Sequence, residues 1–99
     1  MTESGNRITI TVKSFATLRE VMDAQLRMKV MEGATIRSLF VELCGRYEGL
    51  DERLFAGPGT FRDYVNILKN GRNIQFLAGL DTPLEDGDTI AMFPPLAGG

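Results

Sequence analysis

Three features of this sequence could carry chemistry, but the spacing or the surroundings of each argue against it. Cys44 lies beside an apolar helix stripe, which favours a half-buried structural thiol over an exposed nucleophile with positive neighbours. Asp86-Gly87-Asp88 lacks the ligand spacing of a calcium loop, so we expect a tight turn and no metal site. Gly57-Pro58-Gly59 is not a phosphate loop, because no Gly-Lys-Ser/Thr follows it. The absence of histidine excludes His-based catalysis and His-ligated zinc.

The C-terminal segment is the most informative chemical feature. It reads Phe93-Pro94-Pro95-Leu96-Ala97-Gly98-Gly99, and its two prolines favour an extended path that cannot continue a sheet ladder. Six residues from Pro94 reach at most about 20 Å from the body. Glycines at the tip carry no side chain, so a terminal carboxylate there could enter a narrow cleft in a partner. We therefore predict an extended arm over about 94–99, with Gly98 and Gly99 at the tip that enters a partner.

Composition and charge predict one globular domain in the cytoplasm. The hydrophobic share is 43 % and the charged share 24 %, close to the averages for such domains, and 99 residues suffice for one core. The net charge is -2 and no run of Lys or Arg supplies a basic face, which argues against nucleic acid as a partner. No apolar stretch is long enough to cross a bilayer. A single cysteine is typical of a reducing compartment.

Apolar periodicity predicts the first half of the fold. Apolar residues alternate with polar ones within 7–13 and again within 26–30, which predicts two antiparallel strands joined by a short helical piece inside 14–23. The residues after Thr35, a good N-cap, have helical spacing, and Gly49 suits a left-handed C-terminal cap. We predict a helix over about 36–48 from Ile36, Leu39, Phe40, Leu43 and Tyr47.

The second half is organised around Asn70-Gly71, which favours a type I′ hairpin turn because both positions need positive φ. With that turn Lys69 faces Arg72, and the apolar pairs Ile67 with Ile74 and Val65 with Phe76 share one face. A short helical turn near 51–55, an exposed loop over 57–60 and an irregular stretch over 77–87 surround the hairpin. The last strand is predicted over 89–93.

The order strand, strand, helix, strand, strand, strand predicts a single α+β domain over 1–99. One helix with one apolar stripe must pack on a sheet. A hairpin, a helix across one sheet face and further strands are the pattern of a β-grasp, or ubiquitin-like, roll. We expect a mixed sheet of four to five strands with one main helix packed across it.

Three motifs in this sequence resemble those of the MoaD/ThiS family of ubiquitin-like sulfur carriers, and the similarity runs over about 7–99. The motifs are Phe15-Ala16-Thr17-Leu18-Arg19-Glu20, Asp86-Gly87-Asp88-Thr89-Ile90 and the segment from Phe93 to Gly99. The stretches 51–55 and 64–67 are most similar to the longer MoaD-like proteins. These include small archaeal ubiquitin-like modifiers and the cysteine-biosynthesis carrier CysO.

The resemblance implies a substrate or carrier protein that is not an enzyme and binds no cofactor itself. A ubiquitin-activating-like enzyme of the MoeB or ThiF type would use ATP and magnesium to convert the Gly99 carboxylate into an acyl-adenylate. A sulfur donor would then produce a C-terminal thiocarboxylate. In MoaD relatives that sulfur passes to a molybdopterin precursor in complex with a large synthase subunit of the MoaE type. The sequence does not choose between acceptors in molybdenum or tungsten cofactor, thiamine, cysteine or tRNA synthesis.

The resemblance also implies where partners bind. Phe93 and Phe15 match positions where MoaD presents apolar residues, and Leu68 could join them because it lies on the opposite strand face from Ile67. The alternative for each is a core or scattered surface residue. The predicted partner-binding set is Phe93, Pro94, Pro95, Leu96, Ala97, Phe15 and Leu68.

Three functions are therefore open at the level of sequence. The first is a MoaD-type sulfur carrier, and the second is a ubiquitin-like modifier joined through Gly99 to lysines of target proteins. One protein could have both roles. The third is a ubiquitin-like docking module whose tail is inert. In each case we expect the free protein to be a monomer that binds neither nucleic acid nor membrane.

Overall fold

The computed structural model describes residues 6–95, and a five-stranded mixed sheet forms its centre. The sheet order is β2-β1-β7-β5-β6, with β1 antiparallel to β2 but parallel to β7. A separate two-stranded hairpin pairs β3 with β4. The strands are β1 (Arg7–Ser14), β2 (Gln25–Met31), β3 (Phe55–Gly57), β4 (Thr60–Phe61), β5 (Asn66–Lys69), β6 (Arg72–Asn73) and β7 (Thr89–Phe93).

In the described part of the chain, two α-helices and three 3-10 segments connect the strands. The helices are α1 (Ile36–Arg46) and α2 (Leu50–Leu54), and the 3-10 segments are Ala16–Glu20, Ile74–Phe76 and Gly79–Asp81. No helix within residues 6–95 has the length and apolar character that a membrane crossing requires.

Helix α1 begins where the sequence predicts and ends two residues earlier. The Ser38 N–H donates to Thr35 Oγ1 at 3.3 Å, and the Thr35 N–H donates to Ser38 Oγ at 2.9 Å, which forms a capping box. The helix ends at Arg46 because Tyr47 is already extended, at φ -116° and ψ 110°. Gly49 has the predicted positive φ, 91°, and leads directly into α2.

The core lies between α1 and one face of the sheet. Every second residue of β1 and β2 points to this face, and the cross-strand register places Ile10 beside Met28. The apolar stripe of α1 covers them, as its 3.6-residue spacing predicts. The fully buried side chains of this interface include Ile10, Val12, Leu39, Leu43, Ile90 and Met92.

The Asn70-Gly71 turn is confirmed, but the hairpin that it closes is shorter than predicted. Both residues have positive φ, 51° and 86°, and Lys69 pairs with Arg72. Strand β6 ends at Asn73, because the Asn73 side chain accepts the Gln75 N–H at 2.9 Å and starts a 3-10 turn. The predicted pairing of Val65 with Phe76 is therefore wrong, and Phe76 is 83 % exposed.

The segment predicted as an exposed loop over 57–60 is the turn of the β3–β4 hairpin. Residues 58–60 are exposed, as expected, but the strands on either side bring Phe55 and Phe61 into a stack with ring centroids 4.7 Å apart. Phe40 of α1 contacts both rings edge-on, at 6.0 and 5.6 Å. The hairpin thus covers one side of α1.

Two glycines offer a matched test of these backbone assignments. A Cβ atom at Gly45 or at Gly71 would meet no atom within 4 Å, but Gly71 has φ +86° whereas Gly45 lies within α1. Gly45→Ala should raise the free energy of unfolding by about 1 kcal/mol, because alanine loses less entropy in a helix. Gly71→Ala should lower it by about 1 kcal/mol through strain in the turn. Urea unfolding measures both, and equal shifts would contradict the assigned turn.

Candidate functional site

The last strand before the predicted C-terminal arm lies in the middle of the sheet. Strand β7, which ends at Phe93, lies between β1 and β5. The arm was predicted over 94–99. Pro94 is buried and Pro95 half-buried, so Pro94 still belongs to the folded body. The segment from Pro95 to Gly99 is five residues and spans at most about 17 Å. The predicted reacting residues Gly98 and Gly99, with Leu96 and Ala97, lie outside the described residues.

An apolar groove opens beside the point where the arm leaves. It encloses about 680 Å³ on the sheet face opposite α1. Leu68 lies on this face because its strand neighbour Ile67 points into the core. The groove is lined by Leu68, Phe93, Pro94, Phe76, Tyr64, Asn66, Asn73, Ala16 and Gly71. Three of the predicted partner-binding residues are thus brought together in one concave surface.

Phe15 supports the groove without lining it. Its ring stacks on the ring of Phe93, with centroids 4.4 Å apart and planes 9° from parallel. The Arg19 guanidinium also lies over the Phe15 ring, 5.2 Å from its centroid, and its Nε donates to the Ser14 carbonyl at 2.8 Å. The resulting stack of Arg19, Phe15 and Phe93 holds Phe93 in place at the base of the arm.

Phe76 and Tyr64 are groove residues that sequence reasoning missed. They are 83 % and 74 % exposed, which is unusual for aromatic side chains of a small domain. Phe76 was expected on the buried face of the hairpin. The sequence signal that the strand ends before Phe76 was Asn73, because asparagine often caps a 3-10 turn. Tyr64 has φ 69°, a conformation that costs energy for a residue with a side chain, and no local pattern predicts it.

The rest of this sheet face is basic, although no basic run occurs in the sequence. The side chains at alternate positions of β1 and β2 point away from α1, and the register places Thr11 beside Arg27 and Thr9 beside Lys29. Within residues 6–95 none of the cations on this face forms an ion pair. The sequence has no run of Lys or Arg, as stated above, but β1 and β2 together bring Arg7, Lys13, Arg27 and Lys29 onto one sheet face.

The model of the ThiS family matches residues 12–99. The chain belongs to the ThiS family. It is 40 % identical over 91 residues to small archaeal modifier protein 3 of Haloferax volcanii, covering 91 % of this chain and 98 % of that protein. It is 32 % identical over 94 residues to the molybdopterin synthase sulfur carrier subunit of Mycobacterium tuberculosis, covering 93 % and 99 %.

A solved relative confirms the predicted β-grasp fold of this ThiS-family chain. The crystal structure of small archaeal modifier protein 1 from Haloferax volcanii is 32 % identical and superimposes with a TM-score of 0.77, covering 90 % of this chain and 99 % of that one. The mixed sheet with one main helix is the predicted α+β roll. The predicted resemblance to MoaD/ThiS carriers and archaeal modifiers is confirmed.

The acidic turn before β7 is used within the fold, as predicted. Asp86 Oδ1 accepts the Thr9 N–H at 2.8 Å, and Asp88 Oδ2 accepts the Glu85 N–H at 2.7 Å. Asp88 also accepts Asn70 Nδ2 at 2.8 Å, so it ties the hairpin turn to the start of β7. Within the described residues no group of three acidic, cysteine or histidine side chains is placed to hold a metal ion.

Cys44 is a half-buried thiol on the helix side of the sheet. Burial raises the pKa of the thiol, and the Asp51 carboxylate raises that pKa further. Less thiolate is therefore present at any pH than in a free cysteine, which agrees with the predicted structural role.

Iodoacetamide labelling tests this assignment. Native protein at pH 8 should be alkylated at Cys44 more slowly than urea-unfolded protein, because the thiolate is the reacting form. Mass spectrometry over time measures both rates. Native labelling as fast as unfolded labelling would contradict the raised pKa.

Proposed function

We propose that this chain is a sulfur carrier of the MoaD type, in which the carboxylate of Gly99 is the reacting group. The observation that carries the proposal is the position of β7: this strand lies inside the sheet and ends beside an apolar groove, directly before the predicted arm. A partner that covers the groove therefore has the arm within about 17 Å of its own surface. The named sulfur carrier among the relatives supports the same reading.

The chemistry needs an activating enzyme, because a carboxylate is anionic and resonance-stabilised and does not react with sulfide. Under this proposal an adenylating enzyme of the MoeB or ThiF type joins Gly99 to the AMP portion of Mg-ATP and releases pyrophosphate. A sulfur donor then attacks the acyl carbon, and the C–O bond to AMP breaks. The products are a Gly99 thiocarboxylate and AMP. The carrier supplies the reacting group and no catalytic side chain or bound cofactor.

Under this proposal the groove and the arm have different roles in partner recognition. The groove provides apolar area that a partner would desolvate, with aromatic residues of the kind that dominate binding energy at interfaces. The arm provides reach, and its tip has no side chain to obstruct a narrow catalytic channel. The second partner in this proposal is a large synthase subunit of the MoaE type, or another sulfur acceptor enzyme, that meets the carrier in the cytoplasm.

The alternative function is that of a ubiquitin-like modifier. The similarity to small archaeal modifier protein 3 supports this alternative. The first step is the same, because a lysine amine also attacks an acyl-adenylate and not a carboxylate. The product would be an isopeptide bond from Gly99 to a lysine of a target protein. Both roles are compatible with one chain.

Intact-mass spectrometry tests the proposal. The full chain is incubated with a purified ThiF-type adenylating enzyme, Mg-ATP and a sulfide donor. The carrier proposal expects a mass increase equal to the replacement of one oxygen by sulfur, located at Gly99 by C-terminal peptide analysis. Omission of ATP should leave the mass unchanged. Modification at Cys44 in place of Gly99 would overturn the proposal, as would an unmodified chain with an enzyme that activates its own carrier.

A further inference from the structure

The two edges of the central sheet are very different. Strand β6, at one edge, has two residues and ends in a 3-10 turn. Strand β2, at the other edge, has seven residues, and within residues 6–95 no strand pairs with its outer side. A long unpaired edge is a template for another strand. The edge of β2 therefore offers a second interaction surface, away from the groove and the arm.

The hydrogen bonds at both ends of the β1–β2 ladder show which backbone groups of β2 face outward. The Ser14 N–H donates to the Ala24 carbonyl at 2.9 Å, and the Glu32 N–H donates to the Asn6 carbonyl at 2.8 Å. Since bonded pairs alternate in an antiparallel ladder, the even-numbered residues of β2 bond to β1. The groups that face outward are the N–H and C=O of Gln25, Arg27 and Lys29 and the N–H of Met31, whose carbonyl accepts the Ala34 N–H at 3.0 Å.

The side chains along this edge form two rows of opposite character. Arg27 and Lys29 are exposed on the sheet face opposite α1. On the other face a shallow cavity of about 410 Å³ lies between β2 and α1, with apolar walls formed by Val30, Ala34 and Leu39. Glu32 and Glu42 also line that cavity, and the Glu42 carboxylate is paired with Arg46 at 3.5 Å. One row would attract acidic side chains, whereas the other would repel them and accept apolar ones.

We propose that the β2 edge binds an extended acidic segment of another protein, which adds a strand to the sheet. The segment pairs its backbone with Gln25, Arg27 and Lys29. Its residues alternate, with acidic side chains opposite Arg27 and Lys29 and apolar side chains in the cavity beside Leu39. This proposal goes beyond the sulfur-carrier function, since neither Gly99 nor the groove takes part.

The positive charges on β2 disfavour pairing of its edge with the β2 edge of a second copy of the chain. Two β2 strands paired antiparallel about Met28, the centre of the strand, would place Arg27 of each chain opposite Lys29 of the other. Like charges directly opposite each other are destabilising in a sheet, and edge cations of this kind prevent self-association. The same cations attract an acidic strand, so charge complementarity identifies the occupant.

Nuclear magnetic resonance of the full ¹⁵N-labelled chain tests the proposal. The probe is a capped peptide of alternating glutamate and valine, long enough to pair with all of β2. We expect chemical-shift changes confined to 25–42 and slower hydrogen exchange at the amides of Gln25, Arg27 and Lys29. A peptide with the same composition in two blocks, or with lysine for glutamate, should not slow this exchange.

A charge-matched pair of variants separates strand addition from general attraction. Arg27→Glu/Lys29→Glu and Arg7→Glu/Lys13→Glu make equal changes in net charge on the same sheet face, but only the first pair lies on the edge strand. The edge variant should bind the glutamate peptide at least about tenfold more weakly and should now bind the lysine peptide. The β1 variant should retain most of the affinity.

Three results would overturn the proposal. The first is unchanged hydrogen exchange at the outward amides of β2 when the glutamate peptide is saturating. The second is an equal loss of affinity in the two variants, which would indicate non-specific charge attraction. The third is a set of shift changes centred on Leu68 and Phe93. None of these results bears on thiocarboxylation of Gly99, which is measured separately by mass.

Discussion

Deletion of Gly98 and Gly99 should abolish thiocarboxylate formation completely, while the fold and its stability stay unchanged. Under the proposed function the Gly99 carboxylate is the atom group that reacts, and a chain that stops at Ala97 presents its carboxylate about 7 Å short of the same point. It also presents a methyl side chain where the proposed channel accepts none. Intact mass after incubation with the adenylating enzyme, Mg-ATP and a sulfide donor measures the loss.

The matched control removes Thr2 and Glu3, two residues at the other end of the chain. This variant should be thiocarboxylated at the rate of the full chain, and both truncations should unfold at the same urea concentration. Raising the concentration of the Gly98-Gly99 deletion should not restore the reaction, because the reacting group is absent and binding is intact. If the truncated chain still receives sulfur or is still conjugated, Gly99 is not the reacting group. If neither reaction occurs with the full chain, the docking-module alternative gains support.

Replacement of Leu68 by arginine should reduce kcat/KM for adenylation by about 100-fold, mainly through a higher KM. Leu68 lies on the floor of the groove, on the sheet face away from the core. A buried charge without a partner at the centre of an interface costs several kcal/mol, and each 1.4 kcal/mol is about a factor of ten. Because the arm and Gly99 are intact, saturating carrier should recover most of kcat. Steady-state pyrophosphate release measures both constants.

Val41→Arg is the control for this experiment. Val41 is an apolar residue that is 71 % exposed, but it lies on α1, on the other side of the sheet. The same change in charge and size there should leave kcat/KM within about twofold, since most surface substitutions are nearly neutral. Phe76→Ala provides a second groove variant that removes an exposed ring without adding charge, and it should raise KM with little loss of stability. Equal effects of Leu68→Arg and Val41→Arg would show that the groove does not dock the activating enzyme.

The groove and the arm can be distinguished because a groove variant should change mainly KM, whereas the arm truncation should abolish turnover. A groove variant weakens docking but keeps the reactive end, whereas the arm truncation keeps docking and removes the reactive end. A truncated chain should therefore inhibit adenylation of the full chain by competition. A truncated chain that also carries Leu68→Arg should lose that inhibition.

Most elements that build the body were predictable because their signals are local. Alternation along β1 and β2, the 3.6-residue spacing of α1 and the Asn70-Gly71 turn each occupy a few consecutive residues. The same holds for β7, predicted and found over Thr89–Phe93. The prediction of the second hairpin strand was wrong beyond Asn73. The Asn73 side chain accepts a backbone N–H and starts a 3-10 turn, and the alternation of apolar residues carries no information about such a bond.

The candidate site was predictable in its chemistry and only partly in its shape. The tail motif identified Gly98 and Gly99 as the reacting end, and that remains a prediction that the described residues do not test. Phe93, Pro94 and Leu68 were expected to bind a partner, and the structure places them in one groove without testing that role. Phe76 and Tyr64 could not be assigned, because a 3-10 turn and a positive φ turn them toward the groove.

The sequence by itself determined β1, β2, α1, the Asn70-Gly71 turn and β7, because each depends on residues close together along the chain. Its local motifs also identified the family and the chemical identity of the proposed reacting end. The tertiary structure alone decided which segments share a face. The basic face joins β1 to β2, and the acidic turn reaches Thr9 across 77 residues of sequence. Such neighbours depend on sheet register, and a shift of one residue would send every one of those side chains to the opposite face.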